Sequence, residues 1–376
     1  MFAQTKKLCD HFIKMGIPGL DLMVCKDGKT VLRYMAGYAD PDTKAPMTGK
    51  EKYHIYSCSK LFTCVAAMQL WEKGLFSLDD PLGKFIPAFK DMTVKTENGI
   101  KKAEKPILIH HLFEMTSGLS YALQTPELKE FYKKSTCPTL ELVQEFAKRP
   151  LEFEPGGRWL YSLSHDVLAA LVEVWSGQKF EVYVKEHIFD PLGMTHTDFL
   201  HPMEDWEGFA RQYRYHAETG EYEPLWKNPY RPGPEYASGG AGCVSTVEDY
   251  MKFLEALRVG DVILKTETID MMATNRLNEQ QLATYTQTAN GLGYGLGLRT
   301  PRINPNRTEF GWGGAAGAHC SVDKEHGLSI YYAQHVLQSP NASWRKWLYY
   351  VIRADLEGRQ FQIPELDQSD DQHLTY

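Results

Sequence analysis

The chain has 376 residues, 43% hydrophobic and 24% charged, with a formal net charge of -7. That is enough apolar material for one large domain or two closely packed ones. A mildly acidic chain without a basic run is a poor match for nucleic acid or an anionic membrane surface, and no stretch is long and apolar enough to span a bilayer.

Residues 4–15 carry Leu8, Phe12 and Met15 at helical spacing, and Gly16, Pro18 and Gly19 end that helix. Two strand-like runs follow, 20–25 and 30–36, joined through Asp27-Gly28, a hairpin signal. After a polar loop to about residue 52, a helix starts at Ser57 and stops at Gly74. Between Leu61 and Trp71 it is apolar on almost every face, which predicts a helix in the middle of the protein. From 81 to 235 the pattern is mainly helical, with helices expected over 107–115, 139–147, 164–175 and 180–188. Ser245, with Glu248 three residues on, reads as the cap of a helix reaching Leu257. Strands are expected over 291–298, 309–311, 319–322 and 328–334, then a last helix over 344–356 and a polar tail of twenty residues on the surface or frayed.

Strands, then helices, then strands predict an α+β fold. One antiparallel sheet would be built from 1–80 and 236–376, flanked by helices, with 81–235 as a mainly helical inserted region. A cleft between the two is where an active site is expected. The seven cysteines are scattered without a Cys-x-x-Cys pair, which speaks against a disulfide framework and a zinc site and predicts small buried hydrophobes. His187, His196, Asp198 and His201 match no metal-ligand spacing and are read as surface. With no apolar signal core after the basic start, the expectation is a cytoplasmic protein.

Ser-x-x-Lys occurs four times, at Ser57/Lys60, Ser176/Lys179, Ser321/Lys324 and Ser343/Lys346, so the pattern alone decides nothing. Only the first opens a buried helix; the last opens an amphipathic surface helix. Residues i and i+3 share a helix face, so Lys60 can reach the Ser57 hydroxyl, and a helix N-terminus favours negative charge on that oxygen. Serine needs such a neighbour to become a nucleophile. A capping serine with a snorkelling lysine would have the same local sequence.

The run from Ser57 to Thr63 is followed by Gly74-Leu75-Phe76-Ser77-Leu78-Asp79-Asp80-Pro81, by 111–119, and by Pro155-Gly156-Gly157-Arg158-Trp159-Leu160-Tyr161-Ser162. Next come Pro191-Leu192-Gly193-Met194, Ser238-Gly239-Gly240 and Tyr294-Gly295-Leu296-Gly297. In this order, over nearly the whole chain, they resemble the beta-lactamase-related serine hydrolases. That group holds class C beta-lactamases, low-molecular-weight penicillin-binding proteins and family VIII carboxylesterases. Ser-x-x-Lys is a signature of related enzymes.

The resemblance implies that Ser57 is the nucleophile, with Lys60 and Tyr161 as proton-transfer partners. Leu163 stands where the family's Tyr-x-Asn element has its asparagine, in the substrate-binding position. Trp312-Gly313-Gly314 resembles the Trp-Gly-Gly variant of some family VIII esterases, with Trp312 as an apolar wall and the glycines letting substrate lie against the strand. The backbone N–H groups of Ser57 and Ala315 would form the oxyanion hole. The expected function is ester hydrolysis through an acyl-enzyme, on a small and uncharged ester, with no metal or other cofactor. Acyl transfer through the same intermediate is a variant. A beta-lactamase or D-alanyl-D-alanine carboxypeptidase acting on a beta-lactam-like substrate is the alternative, and a non-catalytic binding module of the same fold is the reading from another class. Trp312 and Leu163 weigh against beta-lactam chemistry.

Overall fold

The computed structural model describes residues 1–304 and 306–363, so the expectation for the polar tail falls largely outside the described residues. The first hairpin forms where Asp27-Gly28 places it. Both residues have positive φ, 49° and 79°, and join β1 (Gly19–Lys26) to β2 (Lys29–Asp40). A short β3 (Ala45–Pro46) pairs with the far end of β2. The other end of the chain supplies β4 (Leu292–Tyr294), β5 (Arg299–Pro301), β6 (Phe310–Gly313), β7 (His319–Asp323) and β8 (Leu328–Ala333). All eight make one antiparallel sheet in the order β4-β5-β6-β7-β8-β1-β2-β3. The two ends of the chain meet at the β1–β8 pair, where Val24 faces Ile330.

Alternation along the central strands sorts the core into two layers. Leu20, Leu22, Val24, Ile330 and Tyr332 point to one face, under α1 (Ala3–Lys14) and the last helix, Trp347–Leu356. Tyr331 and Ala333 point to the other, against Tyr250 and Phe253 of Val247–Val259. Beyond that layer lies α2 (Ser59–Glu72), buried without a break from Ser59 to Met68 and packed on α3 (Ser164–Ser176). Leu61, Phe62, Val65 and Met68 are each at most 1% exposed; burying such a side chain stabilises by roughly 1.5–3 kcal/mol. The all-round apolar sequence of α2 thus has its cause in an enclosed position. All seven cysteines are buried and free.

Several local expectations need correction. Residues 291–298 are not one strand: β4 ends at Tyr294, and Gly297, at φ 89°, turns the chain into β5. A Cβ on Gly297 would meet Cys64 Sγ at 2.1 Å, so this turn presses directly on α2. The helix Val247–Val259 is capped by Thr246, whose hydroxyl accepts from Asp249 N–H, not by Ser245, which is paired in a short strand. Within 81–235, Thr93–Thr96 and Gly99–Lys102 form a hairpin, as do Tyr213–His216 and Glu221–Pro224. The first hides from pattern reading because Val94 is its one buried residue. His201, expected on the surface, is buried, with its ring nitrogens 3.1 Å from Asp198 and 3.2 Å from Asp205.

Candidate active site

The chain reaches Ser57 through a strained turn. Tyr56 has φ 47°, a left-handed backbone that a bulky residue adopts at a cost of about 1–3 kcal/mol. Packing offsets that cost. The ring is fully buried, lies edge-on to Tyr230 at 5.7 Å, and its hydroxyl donates to Gln212 Oε1 at 2.5 Å. Ser57 sits in the single 3-10 turn Tyr56–Cys58, and α2 begins only at Ser59. The nucleophile candidate therefore precedes the α-helix instead of opening it.

Lys60, on the first turn of α2, has no exposed surface. Its Nζ donates to the Gly240 carbonyl at 2.7 Å and to Ser57 Oγ at 3.3 Å. The same nitrogen lies 4.6 Å from the ring centroid of Tyr161 and 5.5 Å from that of Tyr121. The Tyr161 hydroxyl is 2.6 Å from Ser57 Oγ, 104 residues away in sequence. Its ring lies nearly parallel to those of Tyr121, at 5.4 Å and 3°, and Trp312, at 6.0 Å and 20°. Stacking of this kind fixes where the phenol oxygen points.

Trp312 is 5% exposed, because Tyr161 takes one face and Tyr294 stands against it at 5.2 Å. It backs Tyr161 and offers a ligand only an edge, less than the apolar wall expected. Gly314 is required where it stands. A Cβ there would lie 2.4 Å from the Ile55 carbonyl, so only glycine lets the end of β6 close on the Ser57 turn. Gly313 is partly exposed and meets only the Ala318 carbonyl, at 3.2 Å. Ala315 follows, half-buried. Among the described residues, neither its N–H nor that of Ser57 is used in a backbone hydrogen bond, whereas Gly314 N–H is spent on Ala318.

Leu163 departs from its expected place at the substrate. It is 1% exposed and joins the core at the start of α3, with its N–H on the Ser120 carbonyl. Its neighbours Ser162 and Ser164 are also fully buried and bonded to each other at 2.8 Å, so neither takes over an asparagine's contact with a ligand.

Sequence reasoning missed Asp166. It is fully buried on α3, and its Oδ1 accepts from Tyr236 at 2.7 Å, Ser238 at 2.6 Å and Gly240 N–H at 3.3 Å. Oδ2 has no hydrogen-bond partner among the described residues. A Cβ on Gly240 would lie 2.6 Å from that oxygen and 3.3 Å from Lys60 Nζ, so this glycine separates the buried carboxylate from the buried amine. Its sequence setting gives no warning, since an aspartate in the first turn of a helix is ordinarily a solvated charge near the positive end of the dipole. Burial pushes the phenols of Tyr121 and Tyr294 well above the usual tyrosine range, so both stay protonated donors. Burial, with Lys60 adding to it, brings His165 down to about 3 and keeps its ring neutral.

Ser57 Oγ thus has two neighbours able to exchange its proton, and the backbone N–H groups of Ser57 and Ala315 are unspent. Such a set suits attack on an acyl carbon and capture of the resulting oxyanion. A cavity of about 1060 Å³ has Ala315, Tyr230 and Tyr121, whose ring stacks on Tyr161, in its wall; Ser57, Lys60 and Tyr161 do not line it.

The Beta-lactamase family matches residues 5–349. ML-236A carboxylate methylbutanoyltransferase mlcH of Penicillium citrinum is 30% identical over 282 residues, 72% of this chain and 66% of that protein. Esterase EstB of Burkholderia gladioli is 28% identical over 349 residues, 83% of this chain and 84% of that one. Among solved structures, EstCE1, a hydrolase with promiscuous acyltransferase activity, superposes with a TM-score of 0.80 at 24% identity, covering 93% of this chain and 98% of its own. Simvastatin synthase LovD of Aspergillus terreus gives 0.77 at 23%, covering 94% and 98%. Both share the fold, and both carry the antiparallel sheet with its helices.

Proposed function

The chain belongs to the beta-lactamase family, and on that premise we propose that it is a serine esterase working through an acyl-enzyme on Ser57. The observation that carries this reading is the position of Ser57 Oγ, 2.6 Å from the Tyr161 oxygen and 3.3 Å from Lys60 Nζ. In the first step Ser57 Oγ attacks the ester carbonyl as its proton passes to the Tyr161–Lys60 pair. The N–H groups of Ser57 and Ala315 receive the oxyanion, whose stabilisation is commonly the largest catalytic contribution. Tyr161 then returns the proton to the departing alcohol oxygen. Water, deprotonated by the same pair, attacks the acyl-enzyme; the Ser57 Oγ–acyl bond breaks, the pair hands the proton to Ser57 Oγ, and the acid leaves. The reaction calls on no metal or other cofactor.

Two features favour an ester over a beta-lactam or a D-alanyl-D-alanine peptide. Trp312 offers no cation on β6 for the carboxylate such substrates carry, and Leu163 supplies no amide. EstB, similar over most of its length, is an esterase by name. Acyl transfer to an alcohol or amine uses the same acyl-enzyme, and the size of the cavity beside Ala315 leaves room for a second substrate. The test compares turnover of 4-nitrophenyl butyrate with that of a chromogenic cephalosporin, in the wild type and in Ser57→Ala. Ester turnover abolished in the variant is expected. Cephalosporin turnover without ester turnover, or an ester rate untouched in Ser57→Ala, contradicts the proposal.

A further inference from the structure

Two buried charges face each other across Gly240, and the reaction described above uses only one of them. Lys60 Nζ donates to the Gly240 carbonyl at 2.7 Å, while the Gly240 N–H donates to Asp166 Oδ1 at 3.3 Å. Both side chains have no exposed surface. A Cβ on Gly240 would meet Asp166 Oδ2 at 2.6 Å and Lys60 Nζ at 3.3 Å, so the carboxylate and the amine lie within about 6 Å of each other. At that range an opposite charge favours the ionised form of its neighbour.

Everything bonded to Asp166 is a donor. The hydroxyls of Tyr236 and Ser238 and the Gly240 N–H all give to Oδ1. Burial, with the Asp166 charge adding to it, pushes the Tyr236 phenol well above the usual tyrosine range, so it stays a donor. An ionised carboxylate only accepts, and this set only donates. Oδ2 has no hydrogen-bond partner among the described residues, which leaves its charge to act on Lys60. The other groups that face Lys60 are neutral. Burial pushes the thiols of Cys58 and Cys64 up, along with the Tyr121 phenol, and brings His165 down to about 3. The rings of Tyr161 and Tyr121, 4.6 and 5.5 Å from Nζ, suit an ammonium better than an amine.

We propose that Asp166 is a positioning residue for the reaction: its carboxylate is the counter-charge that holds Lys60 as an ammonium. This inference rests on the esterase reading above and divides the work of the Tyr161–Lys60 pair. Tyr161, as a phenolate beside the ammonium, takes the Ser57 proton on its oxygen at 2.6 Å as the Oγ–acyl bond forms. It gives that proton to the alcohol oxygen as the ester bond breaks. Lys60 keeps all its protons and holds the phenolate by charge. Asp166 acts through Lys60.

Asp166→Asn tests this, because the amide oxygen can keep the three acceptor bonds while the charge goes. Without that charge the pair releases its protons more readily. Both limbs of the pH profile of kcat/KM for 4-nitrophenyl butyrate should therefore move to lower pH, by about 1–2 pH units. kcat/KM at the optimum should fall roughly tenfold or more, as part of the pair becomes neutral lysine beside protonated tyrosine. Asp166→Glu keeps the charge and should hold both limbs near their wild-type positions. A merely structural role would scale the profile without moving it. Unmoved limbs in Asp166→Asn, or limbs displaced equally in Asp166→Glu, overturn the proposal. A second measurement needs neither ester turnover nor a folded asparagine variant. In wild-type protein carrying lysine labelled with carbon-13 at Cε, the Lys60 signal, identified by its loss in Lys60→Met, reports the charge directly. It should still be that of an ammonium at pH 8, where a fully buried lysine without a counter-charge has lost its proton. A neutral Lys60 at pH 8 overturns the proposal even if esters are hydrolysed. An ammonium in a protein that hydrolyses no ester supports the charge pair and defeats the esterase reading alone.

Discussion

The packing around Ser57 and the wall of the neighbouring cavity treat buried charge in opposite ways. Around Ser57 the charged groups are enclosed and held by neutral partners: Lys60 rests on the Gly240 carbonyl, and Asp166 Oδ1 accepts three hydrogen bonds. Tyr161 stacks with two aromatic rings. Asp166 Oδ2 and the Tyr294 hydroxyl meet no described residue there, and the backbone N–H groups of Ser57 and Ala315 are unspent. In the cavity wall, Arg345 and Ser339 hold donors that no described residue accepts. The difference follows the chemistry, which needs groups fixed before the substrate arrives, because reorganisation during reaction costs rate.

That contrast can be broken first at the chemical end. Ser57→Ala should lower kcat for 4-nitrophenyl butyrate by about 10⁴-fold or more, and Tyr161→Phe by roughly 10²- to 10⁴-fold, in steady-state assays of folded protein. A Tyr161→Phe enzyme within threefold of wild type would remove the phenol from the mechanism. Gly314→Ala comes next. The added methyl meets the Ile55 carbonyl, pushes β6 away from the Ser57 turn, and should cut kcat about 100-fold through the oxyanion donors with little change in circular dichroism. Unchanged kcat would show that Ala315 N–H is not used.

Smaller effects sharpen the contrast through stability. Asp166→Ala strands the donors of Tyr236, Ser238 and Gly240, and should cost about 2–4 kcal/mol in urea unfolding. Acid should weaken the fold as well. His165 and His111 are brought down to about 3 and His335 to about 4, each chiefly by burial. Each therefore contributes fully above pH 6.5, where the unfolded chain is also neutral. The contribution is lost as pH falls, because the unfolded chain takes up protons first, by about 1.4 kcal/mol per pH unit for each histidine. Asp21, pushed up to about 7 by burial, acts in the opposite direction as pH falls below 7, and the three histidines outweigh it. Thermal melts should show Tm falling from pH 7 to pH 5; a Tm that rises would contradict the assignment of neutral buried histidines.

What the sequence could tell followed the reach of each constraint. Ser57 and Lys60 are legible because three residues on one helix turn fix their distance, and the all-apolar stretch after them predicts burial. Tyr161 and Gly314 are legible through the ordered family motifs. The sheet is legible because its strands alternate and its first turn carries Asp27-Gly28. Asp166 and Arg345 are not. Each looks like an ordinary charge on a helix or its first turn, and their burial comes from segments far away in sequence, Tyr236–Gly240 for one and the cavity wall for the other. The positive φ of Tyr56 has no local signal, since packing on Tyr230 and Gln212 sustains it. Leu163 shows the reverse failure: motif position suggested a ligand contact, and the packing of α3 turned the side chain into the core.

The central claim is that Ser57 becomes acylated. Treating the protein with a fluorophosphonate and mapping the adduct by mass spectrometry tests it most directly. A single adduct is expected on the peptide carrying Ser57, stoichiometric with loss of ester turnover and absent from Ser57→Ala. An adduct on any other residue, or inactivation without one at Ser57, would contradict it.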